Sequence, residues 1–336
     1  MKENVILNHA FVSKNRNDEQ SGRNSNGISF SDSEPSRVKT FPTRFTLEVR
    51  DCVEAMKQLP DESIDVVVTS PPYNLGIKYR NYKDKRTRKE YLDWSREWAT
   101  EIKRVLKDRG SFFLNLGSCP SNPLIPHELL VVLKEDGVGF SLQNTFHWIK
   151  SITIETKNNE EVSAGHFKPI NSHRYVNDCH EYIFHLTKHG DTPLDRLSVG
   201  VKYSDKSNIK RWAHTEGRDV RCRGNNWFIP YKTIVSRSKE RPHPATFPVE
   251  LAVNCIKIHG QSHSLVVLDP FLGIGHSALA AKQCEIGHFI GFDIDPEYVT
   301  VARRALESGL TQPTMDLLLN SYRGPNRKRA DKTLFD

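Results

Sequence analysis

No stretch of about 18 apolar residues occurs in this chain of 336 residues, so no membrane-spanning helix is expected. The first residues are mixed polar, without a charged cap on an apolar run, so no signal peptide is expected either. The six cysteines (Cys52, Cys119, Cys179, Cys222, Cys255, Cys284) contain no Cys-x-x-Cys pair. That argues against a structural zinc and for reduced thiols in an intracellular protein, and no metal is expected. No internal repeat of about 20–50 residues is present. Residues 1–43 lack a periodic apolar pattern and are rich in Ser, Asn, Arg and Asp, so they read as a largely disordered leader. The remaining length has room for one catalytic domain plus an insertion.

What is present begins with Ile64-Asp65-Val66-Val67-Val68, a β-branched run suited to an inner strand of a parallel sheet. It leads into Thr69-Ser70-Pro71-Pro72-Tyr73-Asn74. The Pro-Pro pair cannot continue a ladder and sets a rigid, extended turn. A hydroxyl, backbone carbonyls and an aromatic ring are thereby expected at the carboxyl end of a strand, where open α/β sheets place ligands. Carbonyl and hydroxyl acceptors suit a planar amino group, and Tyr73 suits a flat ring.

A second strand-like run, Val266-Val267-Leu268-Asp269-Pro270-Phe271-Leu272-Gly273-Ile274-Gly275, ends in glycines two apart and precedes an Ala/Leu-rich helical stretch. Such glycines let backbone approach a ligand closely. About 20 residues further on, a strand ending in Asp293 places an acid to accept both hydroxyls of a ribose. The third glycine of a dinucleotide fingerprint and the lysine of a P-loop are missing, which argues against NAD and ATP.

Together the two motifs resemble the amino-methylating DNA methyltransferases that use S-adenosylmethionine, in the order of their permuted β group. Asp51-Cys52-Val53-Glu54-Ala55-Met56 resembles the segment before the catalytic strand. Residues 241–251, including Thr246 and Phe247, resemble the element closing over the cofactor, and His180–His185 the late core strand. The resemblance covers roughly residues 45–305. It implies an α/β fold: a Rossmann-like methyltransferase sheet with helices on both faces, circularly permuted motif order and a small inserted target-recognition region. The implied parts are a catalytic half at 44–186, target recognition at 187–243, a cofactor-binding half at 244–310 and a basic tail at 311–336.

By the same resemblance, Ser70, Pro71, Pro72 and Tyr73 are catalytic. Asp51, Thr246, Phe247, Asp269, Pro270, Phe271, Gly273, Gly275 and Asp293 hold S-adenosylmethionine. The family's cofactor loop usually continues Gly-Ser-Gly-Thr-Thr, whereas this one reads Gly273-Ile274-Gly275-His276-Ser277, so a side-chain hydroxyl contact is lost at Ile274. Cys119 precedes Pro120, the reverse of the order usual for a cytosine-C5 nucleophile, so no catalytic thiolate is expected.

From Lys202 to Arg241 there are eleven Lys/Arg against four Asp/Glu, interleaved with Tyr203, Trp212, Trp227, Phe228 and Tyr231. This composition suits a surface that neutralises phosphates and reaches base edges, with Lys210, Arg211, Arg218, Arg221, Arg223 and Asn225 as candidate DNA contacts. The implied partner is double-stranded DNA, with the target base flipped out of the stack. Within the family that the chain resembles, Ser before Pro-Pro leans towards cytosine-N4, with adenine-N6 the alternative. An RNA methyltransferase and a catalytically vestigial nucleic-acid-binding protein are the other readings. A homodimer and pairing with a restriction endonuclease are left open. The location would be the nucleoid in a prokaryote or the nucleus in a eukaryote.

Two secondary-structure expectations complete the reading. Apolar spacing predicts a helix over Tyr91–Leu106, ended by Gly110, with the next strand at Ser111–Leu116, and residues 151–173 read as loop.

Overall fold

The structure, a computed structural model, describes residues 42–77, 79–120, 122–135, 137–155, 161–165, 173–176, 178–212, 215, 217–232 and 246–308. The leader up to residue 41, residues 241–245 and the tail from 309 lie outside the described residues.

A nine-stranded sheet organises this part of the chain. Strands β1 (Arg44–Val49), β9 (His288–Asp293), β8 (Val266–Asp269), β2 (Ile64–Thr69) and β3 (Leu106–Leu116) lie side by side and parallel. Next to β3, β6 (His180–Thr187) runs antiparallel and is followed by β4 (Ser141–Glu155). Ile149 of β4 pairs with His180 on one side and with Phe228 of β7 (Asn226–Lys232) on the other, so β7 forms the outer edge.

Successive residues of the inner strands fill opposite faces, as the two-residue period of a strand requires. Val66, Val68, Phe113, Val267 and Phe289 join one core with helices α5 (Val249–Gly260), α6 (His276–Gln283) and α7 (Pro296–Ser308), which follow the short helix α4 (Ser207–Arg211) in the chain. Val67, Phe112, Leu114, Leu268 and Ile290 join the other with α1 (Cys52–Met56), α2 (Arg88–Val105) and α3 (Ile125–Lys134). The expected sheet with helices on both faces is therefore the one observed.

Three local expectations are corrected. Helix α2 starts at Arg88, where Thr87 and Glu90 form a capping box, and it gives way to β3 at Leu106 rather than at Gly110. Gly110 sits inside β3, where the ladder jumps from Leu106 to Ser111 while β2 advances only from Ile64 to Val66. Residues 151–155 and 161–165 are not loop: they pair antiparallel as the end of β4 and β5 (Glu161–Gly165), which satisfies their backbone groups across the pair. The third concerns aromatics of the basic segment. Trp227 is fully buried, because β7 packs Trp227 and Ile229 into the core beside Phe146 and Trp148, and Tyr203 is buried too. Trp212 and Phe228 remain exposed.

Candidate active site

Strands β8 and β2 are neighbours, yet the chain leaves β8 towards β9 and leaves β2 towards β3. This is the topological switch point, where loops at the carboxyl ends of two strands diverge and open a crevice. Both motifs singled out in the sequence end there. Thr69 Oγ1 donates to Asp269 Oδ1 at 2.6 Å and so ties the two strand ends together.

Asp269 is 1% exposed and also accepts from Ser277 Oγ (2.5 Å) and from the Phe271 amide (3.0 Å). Burial pushes its carboxyl up to about 6 despite these donors. It braces the loop from behind and does not line the cavity.

The glycine loop is shaped by backbone. Gly273 and Gly275 both have positive φ, at 52° and 88°. A Cβ on Gly275 would lie 2.6 Å from Cβ of Ala302 on α7, so helix packing as well as the turn requires glycine there. Ile274, where the family usually has Ser, packs instead with Tyr298 and Val301 of α7. His276 Nδ1 lies 2.5 Å from the Phe247 carbonyl, so that nitrogen carries the proton and joins the closing element to the loop. Burial lowers its pKa, which keeps the ring neutral.

Asp293, at the end of β9, accepts from the Gly273 amide (2.8 Å) on one oxygen and from the Asp295 amide (2.8 Å) on the other. Burial pushes this carboxyl up to about 6 as well. Its remaining lone pairs face a cavity of about 230 Å³ that is also lined by Asp51, Ser70, Pro72, Thr246, Phe247, Pro270, Phe271 and Gly273. Nine of the predicted residues are thus brought to one cavity. Asp51 additionally caps α1 through Val53 and Glu54 amides.

Pro71, Tyr73, Asp269 and Gly275 are not among its lining. Tyr73 is 8% exposed, with its ring close to Gly117 and Glu181. Its hydroxyl lies 2.7 Å from Ser70 Oγ and 3.2 Å from Glu181 Oε2, and Asn115 Nδ2 donates to it at 2.8 Å. Burial, and next the charge of Glu181, push the Tyr73 pKa well above its ordinary value, so the hydroxyl keeps its proton.

Sequence reasoning missed the loop after the motif. Asp84, 3% exposed, accepts from the amides of Asn74, Leu75 and Ile77 and thereby folds that loop back over the cavity. Tyr82 stacks on Trp94, with the Arg86 guanidinium 5.1 Å from the Trp94 ring, and all three line the cavity. The available signal was the aromatic and basic interleaving of Tyr79, Arg80, Tyr82 and Arg86 directly after the motif. Asp295 was missed too: it is 2% exposed, lines the cavity and has Arg80 Nε 3.5 Å from Oδ2.

The candidate DNA contacts lie apart from this cavity. Lys210, Arg211, Arg218, Arg221 and Asn225 are exposed and Arg223 is half-buried. The Asn225 side chain donates to the Thr145 carbonyl (2.9 Å) and thus secures β7 against β4.

A sheet of this order, with its cavity built from two loops at the switch point, defines an α/β protein whose candidate ligand site lies there. The chain matches the DNA methylase family of N6/N4 methyltransferases over residues 64–304 and belongs to it. Its relatives include the type II methyltransferase M.HpaI of Haemophilus parainfluenzae, 28% identical over 261 residues, 77% of this chain and 73% of that protein. The DNA adenine methyltransferase YhdJ of Escherichia coli (strain K12) is 26% identical over 284 residues, 81% of this chain and 87% of that protein. The solved PvuII DNA methyltransferase (cytosine-N4-specific) shares the fold, with a TM-score of 0.55 at 20% identity, covering 78% of this chain and 86% of that one.

Proposed function

We propose that this DNA methylase transfers a methyl group from S-adenosylmethionine to the exocyclic N4 amine of a flipped cytosine in duplex DNA. The observation that carries the reading is one cavity lined both by Ser70 and Pro72 and by Asp51, Gly273 and Asp293. These residues fit the cofactor. Asp293 offers acceptors for a ribose diol, the glycine loop offers close backbone, and a Cβ at Gly275 would clash with Ala302 and force that loop away from α7.

Bound there, S-adenosylmethionine supplies an electrophilic sulfonium methyl. Asp293 would hold its ribose and Asp51 would sit by its base. Thr246, Phe247, Pro270 and Phe271 would enclose the methionine end. Ser70 Oγ and the Pro71 carbonyl would accept from the target amine, drawing its lone pair out of the ring plane and towards the methyl. The exposed part of the Tyr73 ring would carry the flipped base. Positioning by these groups does most of the work. The segment 187–243 would read the target sequence, with Lys210, Arg211, Arg218, Arg221 and Arg223 facing phosphates or base edges.

The test is methylation of mixed-sequence duplex DNA with S-adenosylmethionine, read by nucleoside mass spectrometry, with Ser70→Ala alongside. N4-methylcytosine that disappears in the variant is the expected result. N6-methyladenine would replace the base while keeping the site; the relation to YhdJ, named a DNA adenine methyltransferase, favours that second reading. Absence of any modified base would overturn the proposal.

A further inference from the structure

Glu181 stands beside the catalytic loop with no part in the reaction as described above. It lies on β6, and its side chain is only 14% exposed. Its carboxylate faces three donors: Lys150 Nζ at 2.7 Å on Oε1, and Asn115 Nδ2 at 2.6 Å and the Tyr73 hydroxyl at 3.2 Å, both on Oε2. A carboxylate paired with a lysine accepts only, and the ammonium donates only.

These polarities propagate. The Asn115 amide cannot turn over, because its oxygen would then face a carboxylate oxygen. Its NH₂ therefore points at both Glu181 and Tyr73. The Tyr73 hydroxyl spends its single proton on Glu181 and has only acceptor capacity left. In the contact of 2.7 Å between Ser70 Oγ and Tyr73 either oxygen could donate, and with the Tyr73 proton on Glu181 the donor is Ser70. Ser70 lines the cavity, whereas Tyr73 does not. The serine proton points inward, and its lone pairs are left for the cavity.

We infer that Glu181, held by Lys150, is a positioning residue that fixes Ser70 as a pure acceptor for the amine being methylated. The inference rests on the methyl transfer proposed above. Without an acceptor at Glu181, Tyr73 is free to donate to Ser70. The serine hydroxyl would then turn its proton towards the cavity and meet the amine donor to donor.

The experiment compares kcat, KM for DNA, cofactor affinity by calorimetry and thermal midpoint in the full chain and three variants. In Glu181→Gln the amide keeps its oxygen on Lys150 and presents its NH₂ to Tyr73 and to an Asn115 amide that has turned over to accept it, so Tyr73 loses its carboxylate acceptor and its proton is freed for Ser70. The expected loss is on the order of 10²-fold in kcat, with KM and cofactor affinity nearly unchanged.

Combining Glu181→Gln with Lys150→Met removes the competing donor. The amide oxygen can then return to Tyr73, and a recovery of about 10-fold over the single variant is expected. A role in charge or packing alone predicts no such rescue. Tyr73→Phe, which keeps the ring and removes the relay, should lose kcat on a similar scale and serves if Glu181→Gln does not fold.

Wild-type kcat in Glu181→Gln or Tyr73→Phe, or a double variant no faster than the single, would overturn the inference while leaving the methylase reading intact. A wild-type chain that methylates no DNA would overturn both.

Discussion

Asp293 and Asp269 are the residues whose titration makes the site testable. Both carboxyls are raised from 3.8 to about 6, chiefly by burial. A raised carboxyl means the folded chain holds the proton more tightly than the unfolded chain. The stability these groups contribute is fully present below about 3.8 and is lost as pH rises through about 6. For the proposed cofactor site the sign is the opposite, because only ionised Asp293 would accept fully from a ribose diol. Affinity for S-adenosylmethionine, measured by calorimetry, should therefore rise as pH climbs through about 6 while the thermal midpoint of the free protein falls. Asp293→Asn should weaken binding by roughly 10-fold to 100-fold and flatten its pH profile. A profile unchanged in that variant would remove Asp293 from the cofactor site. Gly275 offers a separate check at one atom. Gly275→Ala forces an αL strain together with a clash on Ala302, and a loss of about 2–4 kcal/mol in chemical denaturation is expected.

Among the elements, β7 changes the meaning of the basic segment. A short apolar run inside charged sequence adds an edge strand to the catalytic sheet. Trp148 Nε1 donates to the Ile229 carbonyl (3.0 Å), and the Trp227 ring lies 4.5 Å from that of Phe146. The residues around Arg221 and Arg223 are thereby anchored on rigid structure at one end. Trp227→Ala should cost about 3–5 kcal/mol, read by urea unfolding, because a fully buried indole leaves a large void. A loss under about 1 kcal/mol would mean that β7 is detachable from the core.

Across the whole molecule, the formal net charge of +7 equals the excess between Lys202 and Arg241, eleven Lys/Arg less four Asp/Glu. The charge is not all available to a partner: Lys206 is already ion-paired with Asp219. DNA affinity should fall steeply with salt. Lys210→Ala and Arg211→Ala should each reduce the slope of log affinity on log salt by about 0.9. Lys206→Ala should change it less. Equal slopes in all variants would place the DNA elsewhere.

Both strand-loop motifs, the Asp293 acid and the inner strands could be read directly from the chain, because β-branched runs, a Pro-Pro stop and paired glycines are local signals with local causes. The two-sided sheet followed from the family resemblance that those motifs carry. What could not be read was pairing between distant segments. Whether residues 151–155 and 161–165 form loop or paired strands depends on a partner strand, and so does the burial of Trp227. Composition shows that a residue is aromatic or acidic, not which way its side chain turns. Glu181, Asn115 and Lys150 come from three different strands, and only the sheet brings them around Tyr73. The motif with its acceptors was thus written locally, whereas the direction of the hydrogen bonds through it was set by tertiary contact, since a proton's place depends on every donor and acceptor within reach.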